Sequence, residues 1–470
     1  MTLSIKGGGG IINEVPSVTN LRVTAFETET IDIEYKVEDI ELTICRHYLL
    51  LNGAKTEITK QVGYESSTNV FRYQITGLEM GRTYTIQIVA SDGHDEGLSQ
   101  AVQQATKNAI IYGVRVMENN SNPETCCTYI EEAAGINLAN STSLGGWSKI
   151  YPFNEVKIVG LKNGAETNEI NPLNKDHYFG GYRVPDDVDV MVKIPKVYWK
   201  FSNISNGYEL RISKDKFDGA DCYAHKVNGV EKDYIYVGAY LGYVENGKLR
   251  SKSRATPTIN KTIGQFRQYA QANGNGYQQW NWYTQTLIQI LYLIAYKNLN
   301  SQQALGYGFV YGNGYPLQTG GTYEKGFAYG ESSGRQQMCF LGIEDLWGNL
   351  SQWVDGLKIS NTSIMATPNN KTFNDNGSGY KKIGNATYTT NVYINKVFHD
   401  NECAFLTKEC NGSETTHYTD AGAVWTGGDN IGAYGGNYTL YRNAGVFNFY
   451  VNYNTSLYNS EIGSRLCYLG

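Results

Sequence analysis

The sequence has no run of Lys and Arg, and charge of either sign is thin. Charged residues make up 18% of it and the net charge is −5, so no basic patch meets phosphates. Nucleic acid and anionic membrane are therefore excluded as expected partners. The opening stretch "MTLSIKGGGGIINEVPS" lacks the apolar h-region of a signal peptide, and none is expected. A chain without a signal still reaches the outside when lysis or a virion carries it. The most apolar run, "TLIQILYLIAYKNL", is short and interrupted by Gln289, which predicts a buried helix and no membrane insertion.

Chemistry-bearing patterns are also missing. The eight cysteines (Cys45, Cys126, Cys127, Cys222, Cys339, Cys403, Cys410 and Cys467) form no CxxC pair. Free, mostly buried thiols of a chain made in a reducing cytoplasm are the expectation, with no disulfide framework and no zinc site. His47, His94, His177, His225, His399 and His417 are scattered, with no HExxH pattern and no i, i+4 pair. The stretch "GYGFVYGNG" is too irregular for a phosphate loop. Glu344, Asp345 and Asp355 offer oxygen ligands for calcium, but solvated or capping carboxylates beside a tryptophan turn are the favoured reading. No catalytic set, metal or cofactor is expected, and no enzyme.

What the chain has in quantity is Tyr, 38 of 470 residues, and Gly, 52. Tyr gives a large rigid contact area and a hydroxyl at low entropic cost, which suits binding surfaces as well as strands. The length predicts about two to four domains. After a flexible lead-in at 1–15, residues 16–107 alternate in strand fashion with turns at sandwich spacing: "VTNLRVTAF", "ETIDIEYKV", "HYLLLNG", "NVFRYQITGL", "RTYTIQIVASDG". Residues 108–200 read as a β-rich opening segment of the C-terminal region, including "DVMVKIPKVYWKFSN". Within 201–470, "KTIGQFRQYAQAN" and "NWYTQTLIQILYLIAYKN" read as helices, the second with Leu287, Ile290, Leu291 and Ile294 at the spacing of a buried face. Strands, then helices, then loop-rich strands suggest an α+β domain distinct from the all-β sandwich.

Two resemblances follow from particular residues. "ITGLEMGRTYTIQIVASDG" places Leu78 before Tyr84, Ile86 and Ile88 and resembles the tyrosine corner of a fibronectin type III domain; Ile31, Ile33 and Tyr35 stand where its second-strand Trp is usual. "GIEDLWGNLSQWVDGL" (342–357) resembles the "GNVWEWV" signature of the C-type-lectin-like fold, shared by formylglycine-generating enzymes and the variable proteins of diversity-generating retroelements. Trp347, Gly348, Asn349 and Trp353 match it, and Gln352 replaces the usual Glu. "WTGGDN" (425–430), "GGNY" (435–438), "NAGVF" (443–447) and "IGSR" (462–465) then follow the closing order of the retroelement proteins, with Tyr438 for the usual Trp and Ser464 for the usual Phe.

The resemblance implies a C-type-lectin-like domain whose variable ligand-binding region lies at about 425–465. In that family an adenine-templated reverse transcriptase rewrites exposed codons, chiefly AAC, which cannot become Lys, Gln, Met, Trp or Glu. Residues 437–460 lack those same five types. The positions the resemblance marks as variable are Tyr438, Thr439, Leu440, Tyr441, Arg442, Tyr450, Asn452, Tyr453, Thr455, Leu457, Tyr458 and Asn459; Arg465 is expected to anchor the final strand. Alternation in "AGVFNFYVNYN" puts Phe447, Phe449 and Val451 on a core face and Asn448, Tyr450 and Asn452 on an outward one.

The function implied is that of a phage tail adhesin recognising a host cell-surface protein or glycan, in contact with other tail proteins. Its place would be the virion, with a bacterial surface as the alternative. A homotrimer is expected, with the undiversified part of 109–340 as interface, although no heptads or collagen-like repeat enforce it. The other readings are an oxidase of the formylglycine-generating type and an undiversified structural tail component. Cys403, Cys410 and Cys467 match no copper motif of that oxidase family.

Overall fold

The computed structural model describes residues 14–38, 46–390 and 392–470. Cys45 and the lead-in up to residue 13 lie outside the described residues. The chain is multidomain and mostly β-sheet with few helices. It divides into two units, Met1–Ala109 and Ile110–Gly470.

The first unit is a pair of packed sheets. Strands β1 (Ser17–Phe26), β2 (Ile31–Glu38), β5 (Gly63–Glu65) and β6 (Val70–Ile75) form one sheet in the order β1-β2-β6-β5. In the other, β3 (Arg46–Leu51) lies between β4 (Ala54–Glu57) and β7 (Thr83–Ser91), and β7 also pairs with β8 (Glu96–Leu98) and β9 (Val102–Ala105). Period-2 alternation explains the packing. Ile31, Ile33 and Tyr35 of β2 point inward with Leu49, Ile86 and Ile88 of the facing sheet, and all are buried. Tyr35 fills the central position and its hydroxyl hydrogen-bonds His47 Nδ1 at 2.8 Å. Tyr84 accepts the Glu79 backbone N–H at 2.8 Å through its hydroxyl, which closes the corner before β7.

The second unit is continuous across residue 200, where the sequence suggested a boundary. One six-stranded sheet runs Ala165–Glu169, Lys157–Lys162, Asp189–Pro195, Tyr234–Gly238, Leu466–Tyr468, Tyr277–Gln279, so strands from both sides of that position pair directly. "DVMVKIPKVYWKFSN" is two strands, Asp189–Pro195 in this sheet and Tyr198–Ile204 in a four-stranded sheet with Gly207–Ser213, Tyr112–Met117 and Cys127–Glu131. An eight-stranded sheet is centred on Ser351–Ser360, Asp429–Tyr434 and Phe449–Tyr453. Phe449–Tyr453 pairs in parallel with Ala421–Val424 on its other side, and Ile462–Gly463 pairs in parallel with the start of Ser351–Ser360.

Helix α1 (Ile263–Gln271) begins with a capping box, Thr262 accepting from Gln265 N–H while the Gln265 side chain accepts from Thr262 N–H. Helix α2 (Trp282–Tyr296), capped by Asn281, is buried on every side, so the expected single buried face understates it. Its Trp282 ring stacks on Phe449, and Tyr292 meets Phe340, Trp347 and Phe447 edge-on. No helix among the described residues is long and apolar enough to cross a membrane.

Candidate functional site

The tryptophan signature builds a turn that gathers three segments. Trp347 donates through Nε1 to Gly306 O at 3.1 Å, and Trp353 to Lys261 O at 3.1 Å. Gly348 has φ +73°, and a Cβ there would lie 2.9 Å from the Phe309 backbone nitrogen and oxygen, so only glycine fits. Asn349 is also left-handed, at φ +56°. Its side chain accepts from Leu317 N–H at 2.8 Å and donates to Asp345 Oδ2 at 2.7 Å. Its backbone N–H donates to Phe309 O, and its carbonyl accepts from Tyr438 N–H. One turn thus holds the 306–317 loop against the start of the 437–460 window.

Beneath the turn the carboxylates already have protein partners. Glu344 accepts from Gly320 N–H, Thr322 N–H and hydroxyl, and the Gln337 amide. Asp355 receives Arg267 in a two-pronged pair at 2.7 and 3.0 Å. Burial raises the Glu344 and Asp345 carboxyls above the ordinary range. Arg465 is fully buried; it donates to Gln352 Oε1 at 2.8 Å and to the Gly238, Glu344 and Asp345 carbonyls.

The twelve expected variable positions separate into three groups. Tyr441, Arg442 and Tyr458 are exposed, at 54% for Tyr441 and 67% for Tyr458. Thr439, Leu440, Asn452, Tyr453, Thr455, Leu457 and Asn459 are half-buried. Tyr438 and Tyr450 are buried, which corrects the reading of Tyr450 as outward-facing. Alternation failed there because Phe449–Tyr453 has packed neighbours on both faces. The small residues Ala421 and Ala423 leave room for the Tyr450 ring, at 6% exposure, with Leu440 and Tyr453 against it. Asn448 is buried too, and donates to the Ala421 and Asn443 carbonyls. Tyr438 sends its hydroxyl to Gly314 O at 3.1 Å.

The window therefore presents two stretches. Residues 438–442 lie on the 306–317 loop: Gly312 N–H donates to Tyr438 O, and the Tyr311 and Tyr441 rings meet edge-on at 4.8 Å. Arg442 pairs with Glu414 at 3.3 Å. Residues 452–459 leave the strand beside Trp353, whose ring Tyr453 meets edge-on at 5.6 Å. They end where Asn459 O accepts from Asn260 N–H. Asn437 Nδ2 donates to Glu461 Oε2, tying the window's two ends. Tyr311 and Tyr315, the latter 82% exposed, were missed by the sequence reading. Their signal was the Gly/Tyr spacing of "GYGFVYGNGYP", there weighed only as a phosphate loop.

Cys403, Cys410 and Cys467 are separately placed. Cys403 donates to Asp400 Oδ2, Cys410 donates to Gly422 O, and Cys467 is buried with its thiol pushed up to about 12 by desolvation. Among the described residues, one group of His, Cys, Asp and Glu side chains comes within ion-holding reach: Asp221, Cys222 and Glu231. Lys226 already pairs with Asp221, and Lys196 and the Tyr198 hydroxyl with Glu231.

The fold and site together define a multidomain, mostly β chain with an aromatic, weakly charged face on a rigid turn. No family model matches it, and no curated protein does. Among solved structures it is similar to one titled "Major Tropism Determinant U1 Variant", at 11% identity, over 87% of this chain and 93% of that one, TM-score 0.28. It is also similar to the fibronectin type-III domain of human fibronectin type III domain containing protein 3, at 12% identity, over 22% of this chain and 94% of that one, TM-score 0.15. The Yersinia enterocolitica Family 28 exopolygalacturonase matches at 13% identity and TM-score 0.17, and the match spans 20% of each chain. Each is a distant likeness, and none assigns a function to this chain.

Two outcomes are expected. Phe449→Ala should cost about 3–5 kcal/mol and Tyr450→Ala roughly 3 kcal/mol, whereas Tyr441→Ala should stay within about 1 kcal/mol. Urea unfolding of the three variants checks this, and equal shifts for Tyr450→Ala and Tyr441→Ala would contradict the burial pattern. The second concerns Asp420, fully buried, with Oδ2 accepting from Phe447 N–H at 2.8 Å and Oδ1 without a partner. Burial raises its carboxyl well above the usual range. A raised carboxyl stabilises the fold fully below its unfolded value of about 3.9, and the contribution is lost as pH rises toward the folded value. Asp420→Asn should therefore gain stability relative to the parent as pH climbs from about 4 to about 8. Parallel urea midpoints across that range would sink the assignment.

Proposed function

We propose that the chain is a ligand-binding protein of a phage tail, made in the bacterial cytoplasm and carried in the virion. A bacterial surface is the second placement. In this reading Met1–Ala109 is a fibronectin type III-like spacer and Ile110–Gly470 a C-type-lectin-like module, with other tail proteins as neighbours. Its receptor face is the window at 438–459, diversified by a retroelement toward changing host-surface proteins or glycans. The observation that carries the reading is the exposure of Tyr441, Arg442 and Tyr458 on segments held by the Trp347–Trp353 turn. Tyr and Arg on a rigid base give large contact area with little ordering cost, the physics of an antibody loop. Nothing there arranges a nucleophile, base and oxyanion donor, so binding without turnover is the reading.

The oxidase alternative needs two thiols that act together at a groove, and Cys403, Cys410 and Cys467 do not. Buried, protonated thiols are poor metal ligands and poor nucleophiles. A purely structural tail component is separated by adsorption. Combined Tyr441→Ala, Arg442→Ala and Tyr458→Ala should abolish binding to host cells while leaving particle assembly intact. Unchanged adsorption would favour the structural role. Absence of an adenine-bearing repeat and a reverse-transcriptase gene beside the coding DNA would leave a fixed binding site in place of a diversified one.

Modest single-site affinity would be offset by avidity in a homotrimer whose interface lies in the undiversified part of residues 109–340. Light scattering of the purified protein should then give about three times the 52.4 kDa of one chain. A mass near one chain at micromolar concentration rules out a stable trimer.

A further inference from the structure

Beside the window stands a second set of tyrosines that lies outside it, on the 306–317 loop. Tyr315 is 82% exposed, and Tyr307 and Tyr311 are half-buried. The stretch from Leu305 to Tyr323 contains no Asp, Glu, Lys or Arg. Its exposed side chains are therefore neutral, and a partner that covers them has no charge to desolvate.

The loop is pinned along its length. Tyr307 N–H donates to Glu331 O at 2.8 Å, and the Val310 and Tyr311 N–H groups share Gly334 O at 2.9 Å. Gly334 has φ +69°, and a Cβ there would lie 2.1 Å from the Tyr311 ring, so the ring rests against bare backbone. Phe309 and Leu317 pack beneath with Leu241, Leu350 and Tyr438. Two points of the loop reach the window. The Tyr311 ring meets Tyr441 edge-on at 4.8 Å, and Tyr307 and Tyr311 lie within electrostatic reach of Arg442. Tyr315 stands likewise beside Tyr438, whose hydroxyl donates to the neighbouring Gly314 O at 3.1 Å.

We propose that this tyrosine rim is the fixed half of a two-part receptor site, fitted to the surface of a folded protein. The inference rests on the reading of 438–459 as the receptor window. A partner seated on Tyr441 also meets Tyr311, because rings 4.8 Å apart are covered together. The rim lies outside the diversified positions, so it supplies contact area that no new window sequence has to provide. Tyr suits that task, since its ring packs on apolar surface and its hydroxyl both donates and accepts. A loop already ordered adds little entropic cost on binding. A short glycan calls for a concave site that encloses it. Tyr441 and Tyr315, at 54% and 82% exposure, instead protrude, which fits the flat or recessed face of a protein.

The test is display of the full-length chain with the twelve window positions randomised, selected against lysozyme as a folded protein and separately against dextran. Lysozyme binders should emerge. In each purified binder the double variant Tyr311→Ser, Tyr315→Ser should weaken binding at least about tenfold. Tyr64→Ser, at an exposed tyrosine of the first unit, should leave it unchanged. Circular dichroism checks that the double variant folds, and Tyr315→Ser alone should give part of the loss. Lysozyme binders that ignore the rim change, or that lose as much with Tyr64→Ser, would overturn the inference and leave the window reading standing. Dextran binders that depend on the rim as strongly as the lysozyme binders would sink the assignment to a protein. A library that yields no binder to either target removes the window reading and this inference with it.

Discussion

A guanidinium buried among carbonyls holds the second unit together. Arg465 reaches Gly238 of the six-stranded sheet, Gln352 of the eight-stranded sheet, and the Glu344 and Asp345 carbonyls at the root of the signature turn. Among the described residues no carboxylate pairs with it, and desolvation holds its pKa down at about 10. A charge removed from water is costly unless its donors are satisfied. Four acceptors do so here, drawn from three different pieces of the architecture. The carboxylates of Glu344 and Asp345 can then hold the 320–322 and 337–349 segments from the same spot. The position of the window follows from that junction, because Asn349 passes the constraint on to Tyr438 and to the 306–317 loop.

Much of this was legible in the residues, and the failures have identifiable causes. The five alternating segments of 16–107 correspond to β1, β2, β3, β6 and β7, since one face of each packs inward and the period shows. The short strands β4, β5, β8 and β9 carry too few residues for a period to register. The misplaced boundary near residue 200 came from reading order along the chain as order in space. Asp189–Pro195 and Tyr198–Ile204 are almost contiguous yet serve different sheets, and a strand from residues 466–468 completes one of them.

The site was legible in its frame and less so in its detail. Trp347, Gly348, Asn349, Trp353 and Arg465 were picked out through the resemblance of their motifs to a known signature, and the hydrogen bonds of each supply a geometric reason that the residues alone did not. Tyr450 was misread because an amphipathic strand and a doubly covered strand can share one sequence pattern; the difference lies in Ala421 and Ala423, nearly thirty residues away along the chain. Gln285, Gln289 and Tyr434 are buried with polar atoms lacking partners, beside Asp420 or along α2. Nothing local in "TQTLIQ" announces that.

The placing of Leu466–Tyr468 between Tyr234–Gly238 and Tyr277–Gln279 has a consequence for how the protein is made. During synthesis the earlier strands of that sheet emerge long before their partner, so two edges stay unpaired while some two hundred further residues are translated. Contacts that span such sequence separations close slowly. The first unit has no such debt among its described residues, whose strand pairings fall within residues 17–105. It can be finished while the ribosome is still working on the second, which leaves folding of the longer unit as a largely post-translational event and a natural target for chaperones.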